Sequence, residues 1–372
     1  MNPFPINNYT GAEYFCDREN ETKQLLDTIA NNGNTAFFAQ RRIGKTSLIQ
    51  HVFQIMKRKK QTGIYIDIYA TQNLKEFTNA LANAIYTIFP PNKGIGKSFI
   101  EALKLFRPVI SVDSMTGSPE LSLDITQPRQ FEKTIFQLLQ FIDDQKIKIV
   151  IAIDEFQQIL NYPEKNTEAL LRTAVQQMKH VNFIFCGSNQ TMMHHIFSSS
   201  KRPFFGSAKN INLKRIDKTI YAAFVKQQFE KQKFKINATA LELIFELTDC
   251  HTYYTQRLCH EIFITNEKVI LQENVFSVLH SILKDNENIY FQYRNLITAS
   301  QWTLLKAIAT EKKVEQPYAR KFLYAHRIGT PAHVKRGLQS LVEKELVYYS
   351  ADTNPAYYEV NDKFFMHWLA NK

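Results

Sequence analysis

The chain has 372 residues, 44% of them hydrophobic and 22% charged, with a formal net charge of +11. That length exceeds one compact core, so two or three domains are expected in an otherwise ordinary globular composition. No apolar run reaches the ~18 residues of a membrane-spanning helix, the opening MNPFPINNYTGAEYF lacks the basic-then-apolar order of a secretory signal, and the surplus charge suits nucleotide, nucleic acid or acidic protein without choosing among them.

From residue 20 to about 215, short apolar runs alternate with longer helical patterns. Thr35–Ala39, Thr62–Tyr69, Ile147–Ile153 and Asn182–Cys186 are rich in β-branched and aromatic residues. Near-continuous apolar strands separated by helices predict a parallel sheet covered on both faces. The intervening helices are expected at Ser47–Lys60, Leu74–Phe89, Gln130–Asp143 and Thr167–Lys179. Pro90–Pro128 reads as an irregular insertion with a helix at Lys97–Leu105. The 28 Phe and 17 Tyr are expected mostly in the core.

Beyond residue 216 the strand signals stop. Asp217 and Asn237 are placed to cap helices running to Phe229 and over Ala238–Leu247, and Tyr253–Glu267 and Val275–Tyr293 continue the helical pattern. After Thr298 come helices at Ser300–Ala309, Pro317–Ala325 and Pro331–Glu343, then a hairpin of Leu346–Ser350 and Tyr357–Val360. That is the winged-helix order. The domain expectation is therefore 1–215 for an α/β core, 216–297 for a helical lid and 298–372 for a winged helix. Cys16, Cys186, Cys250 and Cys259 lack the spacing of a zinc or redox site and read as free thiols of a cytoplasmic protein.

The chemistry starts at Ala39–Thr46 (AQRRIGKT), which follows a strand and opens a helix. A phosphate loop needs backbone N–H groups aimed inward at a helix N-terminus. Gln40, Arg41, Arg42, Ile43, Gly44, Lys45, Thr46 and Ser47 would form it. Lys45 would bind the β- and γ-phosphates and Thr46 a Mg²⁺ ion. Ala39 stands where the motif prefers Gly, and a left-handed residue there would cost ~1–2 kcal/mol. A second copy, Gly96-Lys97-Ser98, has Pro91 at the leading position and no strand before it, so it reads as a loop entering a helix.

The strand Ile147–Ile153 ends in Asp154-Glu155. The first acid suits the Mg²⁺ shell, the second the attacking water. Ser188 and Asn189, after the strand Asn182–Cys186, would reach that water or the phosphate, or else cap the next helix.

These residues resemble the archaeal-type ATPases of the STAND branch of the AAA+ superfamily. Tyr14–Glu21 (YFCDRENE) is similar to the family's opening aromatic-Gly-Arg-Glu-x-Glu segment, Arg41–Leu48 to its phosphate loop, and Tyr65-Ile66-Asp67 to a strand carrying Asp. Asp154–Gln157 matches Asp-Glu-Phe-Gln, Gly187-Ser188 the Gly-Ser strand end, and Trp368-Leu369 the winged-helix close. The resemblance implies slow, Mg²⁺-dependent ATP binding and hydrolysis in a cleft between core and lid. Phe15 and Arg18 would flank the base or ribose, and His251 of the lid would approach the phosphates. Two motifs differ: Phe205-Gly206-Ser207 replaces Tyr-Gly-Arg, with Arg202 or Lys209 as candidate stand-ins, and Cys250-His251-Thr252 replaces Gly-His-Pro.

The implied function is a nucleotide-dependent switch cycling between ATP and ADP. Its partners would be ATP, an unidentified protein, and as an alternative DNA through residues 317–360. Residues 300–372 carry eleven Lys and Arg against seven Asp and Glu, but the wing, with Asp352, Glu359 and Asp362, is not basic. That pattern favours an intramolecular or protein-contact role over DNA readout.

Overall fold

The computed structural model describes residues 2–371 except 8, 90–93, 104–107, 113–118, 124–127 and 351–352, and except the side chains of 102, 119, 128 and 129. It falls into two compact units, Gly11–Lys214 and Arg215–Lys372, with Met1–Thr10 belonging to the second.

The first unit runs α1 (Glu19–Ala30), β1 (Thr35–Ala39), α2 (Lys45–Arg58), β2 (Thr62–Asp67), α3 (Leu74–Ile88), α4 (Ile95–Leu103), β3 (Pro108–Val112) and β4 (Pro119–Leu123). It continues with α5 (Pro128–Asp143), β5 (Ile149–Asp154), α6 (Thr167–Gln177), β6 (Val181–Gly187), α7 (Gln190–Ser198) and β7 (Lys209–Leu213). Five strands form one parallel sheet in the order β2-β5-β6-β1-β7. Every residue of β1, β5 and β6 is buried, which is why these strands are uninterrupted apolar runs. Alternate residues of β1 serve opposite faces. Ala36 and Phe38 join the core under α3, α5, α6 and α7, while Phe37 and Ala39 join that under α1 and α2. The result is the expected helix–sheet–helix sandwich.

Three features depart from the expectation. β7 adds a fifth strand beside β1, its register running from Thr35 opposite Lys209 to Ala39 opposite Leu213. The insertion contains a hairpin, β3 antiparallel to β4, with the Leu121 and Leu123 N–H groups donating to Asn83 and Asn79 of α3. Gly96-Lys97-Ser98 lies in the first turn of α4 rather than in a loop before it, with the Ser98 N–H bonded to the Gly94 carbonyl; Pro91 is outside the described residues.

The second unit comprises α8 (Lys218–Lys231), β8 (Lys235–Ile236), α9 (Ala238–Thr248), α10 (Thr252–Ile264), β9 (Val269–Ile270), α11 (Gln272–Asp285) and α12 (Glu287–Asn295). Then come α13 (Ala299–Glu311), α14 (Arg320–Ala325), α15 (Pro331–Glu343), β10 (Val347–Ser350), β11 (Tyr357–Val360) and α16 (Lys363–Ala370). Asp217 caps α8 by accepting from the Thr219 and Ile220 N–H groups, and Asn237 caps α9 through Thr239 N–H. Strands do not stop entirely at residue 216, because β8 and β9 form a two-residue parallel ladder. The single helix expected over Val275–Tyr293 is two, broken at Asn286.

The lid helices and the winged helix share a core: Tyr290 of α12 packs on Phe365 and Trp368 of α16 at 5.1 and 5.6 Å, and Trp302 of α13 on the same two rings at 6.2 and 6.3 Å. A buried ionic cluster reinforces that join. Arg215 pairs with Asp249 and Glu359, and Lys363 Nζ lies 2.6 Å from Glu359 Oε2. The N-terminal segment, expected in the sheet domain, packs here instead: Phe4 is fully buried, 4.6 Å from the Phe229 ring, and its carbonyl lies 2.8 Å from His260 Nδ1.

Two of the acids near the wing are used within the fold. Glu359 is completely buried in the ionic cluster, Asp362 caps α16 through the Phe364 and Phe365 N–H groups, and Asp352 is outside the described residues. On the helix–turn–helix face, residues 316–342 contain five Lys or Arg and no Asp or Glu. All five, Arg320, Lys321, Arg327, Lys335 and Arg336, are exposed.

Candidate nucleotide site

The site gathers at the carboxyl ends of β1, β5 and β6, which the sheet order makes neighbours. β1 delivers the loop. Ala39 is the last residue of that strand, in extended register with Leu213, so the expected left-handed strain at this position does not arise. The positive φ values fall at Arg42 (60°) and Gly44 (101°) instead. Gly takes that conformation readily, whereas Arg42 holds it at a cost of ~1–2 kcal/mol. Gln40 and Ile43 are buried and anchor the loop from below, while Arg41 and Arg42 are exposed. Lys45 opens α2, and its side chain is 6% exposed. Ser47, in the same first turn, is half-buried.

β5 delivers the acids. Asp154 Oδ2 accepts from Thr46 Oγ1 at 3.1 Å and from the Tyr65 hydroxyl at 2.7 Å, and its Oδ1 from the Glu155 N–H at 3.0 Å. Tyr65 sits on β2, paired with Ala152, two residues from the β5 terminus. Burial and the adjacent Asp154 push its phenol pKa far up, so it remains a donor. Sequence reasoning assigned it no role. Its only signal was its place in the strand before Asp67, and that carries meaning only once β2 is known to lie beside β5.

Glu155 has a left-handed backbone, φ 54° and ψ 38°. Strain of this kind persists where flanking structure fixes it. Asp154 ends a fully buried strand, and Phe156 is fully buried in an aromatic cluster 4.6 Å from Phe185 and 5.3 Å from Phe204. Glu155 Oε1 lies 4.0 Å from Lys45 Nζ. Oε2 accepts from Gln157 Nε2 at 2.6 Å, Ser188 Oγ at 2.7 Å and Ser188 N–H at 3.2 Å. Burial by itself would raise the carboxyl pKa, but the Lys45 charge and these hydrogen bonds outweigh it and hold Glu155 below its ordinary value. It is an ionised carboxylate at neutral pH.

Ser188, expected to face water or phosphate, is turned onto Glu155. Asn189 takes the capping alternative, its Oδ1 accepting from Met192 N–H at 3.0 Å. Phe15 stacks on His51 of α2, ring centroids 4.5 Å apart. Arg18 is 4% exposed; its Nη1 meets Glu21 at 3.2 Å, and its buried Nη2 has no protein partner. His251 is 1% exposed, its ring packed 4.7 Å from Tyr254 inside the helical unit. It is the N-cap residue of α10, in the second unit. The candidate stand-ins for the Arg missing at Ser207 are both in the first unit. Arg202 is bound to Glu168 of α6. Lys209 starts β7 opposite Thr35, at the far end of the sheet and ~13 Å from the loop at the 3.3 Å rise of a parallel strand.

A parallel sheet with a loop of this kind at one strand end, and a carboxylate pair beyond an intervening strand, defines a P-loop nucleotide-binding ATPase. The chain belongs to the family described as an ATPase domain predominantly from Archaea, whose model matches residues 15–258. The protein is an ATPase. A second model, described as a probable winged helix domain, matches residues 288–371. Among solved structures, the Walker-type ATPase PABY2304 of Pyrococcus abyssi is similar over 99% of both chains, with 18% identity and a TM-score of 0.67. The ORC2 protein of Aeropyrum pernix, in ADPNP–ADP complexes, is similar over 99% of this chain and 96% of its own, with 12% identity and a TM-score of 0.54. The ORC1 protein of the same organism, in complex with DNA, is similar over 95% and 92%, with 12% identity and a TM-score of 0.51. At these identities the likeness is one of fold. No curated protein matches the sequence. No helix among the described residues is long and apolar enough to cross a membrane.

Proposed function

We propose that the protein is a Mg²⁺-dependent, ATP-driven conformational switch of the STAND type, turning over slowly, with the phosphate site at Gln40–Ser47. The observation that carries this reading is the Thr46–Asp154 contact of 3.1 Å beside the Lys45–Glu155 approach of 4.0 Å. In it Lys45 binds the β- and γ-phosphates, Thr46 and Asp154 hold Mg²⁺, and Glu155 receives the proton of the attacking water. The donor set fits that ion: a hydroxyl and a carboxylate oxygen, with phosphate and water completing the shell. Bound there, Mg²⁺ neutralises phosphate charge. Tyr65 fixes the Asp154 carboxylate, the backbone N–H groups after Ala39 orient the phosphates, and Phe15 and the unpaired Arg18 Nη2 face the base or ribose. In this division the unit Gly11–Lys214 is the motor, while the unit that begins at Arg215 supplies the lid, to residue 297, and the winged helix, 298–372, through which a protein partner reads the nucleotide state.

Hydrolysis should require Mg²⁺ and stop in EDTA. Hydrogen exchange within residues 215–372 should differ between ADP and a non-hydrolysable ATP analogue. Equal rates with and without Mg²⁺ would remove the metal assignment, and identical exchange in both nucleotides would remove the switch.

A second reading is supported by the exposed cations of α14, α15 and the turn between them, with Glu343 the one acid of the two helices. These residues suit duplex DNA backbone, with Arg320, Lys321, Arg327, Lys335 and Arg336 on phosphate and Gln339 exposed beside them on α15. If all five meet phosphates, counterion release weakens binding about 10²–10³-fold between 50 and 200 mM salt. The double variant Lys335→Ala, Arg336→Ala should lower the log–log salt slope by about two. A flat salt dependence, or an unchanged slope in the variant, would leave these helices as a protein-contact surface.

A further inference from the structure

Gln157 is the residue at this site that the motif chemistry leaves without a job. It lies in a short 3-10 helix, Phe156–Asn161, directly after Glu155, and is 9% exposed. Its Nε2 donates to Glu155 Oε2 at 2.6 Å, while its Oε1 is buried without a hydrogen-bond partner. Turning the amide over would place a carbonyl oxygen against the ionised carboxylate, so Glu155 itself sets the orientation. A buried acceptor left unsatisfied is costly, and at this position it accompanies a short bond to a charged group.

The surroundings make room for this amide. A Cβ at position 187 would fall 2.2 Å from Gln157 Oε1 and 2.6 Å from Met193 Cγ. Only glycine lets the end of β6 lie this close to the amide, which ties the Gly187-Ser188 strand end to Gln157 as well as to phosphate chemistry. The two Glu155 oxygens are thereby distinguished. Oε2 accepts three protein hydrogen bonds, from Gln157 and twice from Ser188, whereas Oε1 points toward Lys45 at 4.0 Å. A base that must meet a water within ~3 Å gains from being held in one rotamer.

We propose that Gln157 is a positioning residue that clamps Glu155 Oε2, so that Oε1 alone is presented to the attacking water. This rests on the reading of Glu155 as the water-activating base. Gln157→Met keeps the side-chain length and removes the donor; Gln157→Asn keeps the amide on a stem too short to reach. Each should lower kcat for ATP about 10- to 100-fold, the span expected for losing a hydrogen bond to a charged group. KM and the Kd of a fluorescent ATP analogue should stay within about twofold of wild type. On a Glu155→Gln background, Gln157→Met should cost nothing further, because no base remains to be positioned.

The proposal is overturned if both single variants keep wild-type kcat, if they raise KM and Kd with kcat unchanged, or if Gln157→Met costs the same factor on the Glu155→Gln background. Wild-type turnover in Glu155→Gln would instead sink the base assignment, whatever the Gln157 variants do. A cooperative thermal unfolding transition close to that of wild type identifies a folded variant, and Gln157→Asn supplies the kinetics should Gln157→Met fail that criterion.

Discussion

Lys45→Ala is expected to weaken ATP binding at least about 100-fold and to bring hydrolysis to background. The side chain is 6% exposed at the start of α2, within 4.0 Å of Glu155 Oε1. A buried ammonium in that place faces the Glu155 carboxylate and, when nucleotide is bound, the phosphate charge. Each charge-assisted contact to phosphate contributes about 1.5–3 kcal/mol, and two such contacts exceed a 100-fold change in Kd. Removal also leaves Asp154 and Glu155 opposing the incoming triphosphate with no protein cation between them, so the loss compounds. The measurement is a titration with a fluorescent ATP analogue alongside a phosphate-release assay. Binding as tight as wild type would show that the phosphates lie elsewhere.

Glu155→Gln should behave differently: ATP affinity near wild type, with kcat down about 10²–10⁴-fold, the range attributed to general acid–base catalysis. The amide is isosteric, and its carbonyl oxygen can still accept from Ser188 and Gln157, so the clamp and the left-handed backbone at this position survive. What disappears is the ionised Oε1 facing Lys45. Single-turnover hydrolysis with pre-bound ATP separates this chemical defect from any change in affinity. Turnover at the wild-type rate would remove Glu155 from the reaction. Together the two variants distinguish a binding residue from a catalytic one, and the Gln157 series is interpretable only against that pair.

Where physics acts within a short stretch of chain, the sequence was readable. The strands β1, β5 and β6 are apolar because both faces are covered, and that composition locates them to within two residues. Asp217 and Asn237 were legible as caps because a short polar side chain before a helical run has few other uses. β7 was not legible: Lys-Asn-Ile-Asn-Leu buries only Ile211 and Leu213, too little alternation to separate it from a loop. The charges of the wing show a related limit. A sequence shows charge but not exposure, and Glu359 is spent inside on Arg215 and Lys363. The same blindness concealed that the five Lys and Arg of residues 316–342 are all exposed.

The sequence by itself determined that this chain carries a phosphate loop at Ala39–Thr46 and a carboxylate pair at Asp154-Glu155, because each is a local device. A strand feeding a glycine-bearing turn and a helix N-terminus is specified by consecutive residues. Only the tertiary structure decided which side chains surround that pair. Setting β6 between β1 and β5, and β2 on the far side of β5, brings Ser188 and Tyr65 to the carboxylates from 33 and 89 residues away. The same packing turned Asn189 into a cap and placed Lys209 opposite Thr35, at the end of its strand away from the loop. Strand order depends on how distant segments bury one another, and no local pattern encodes it.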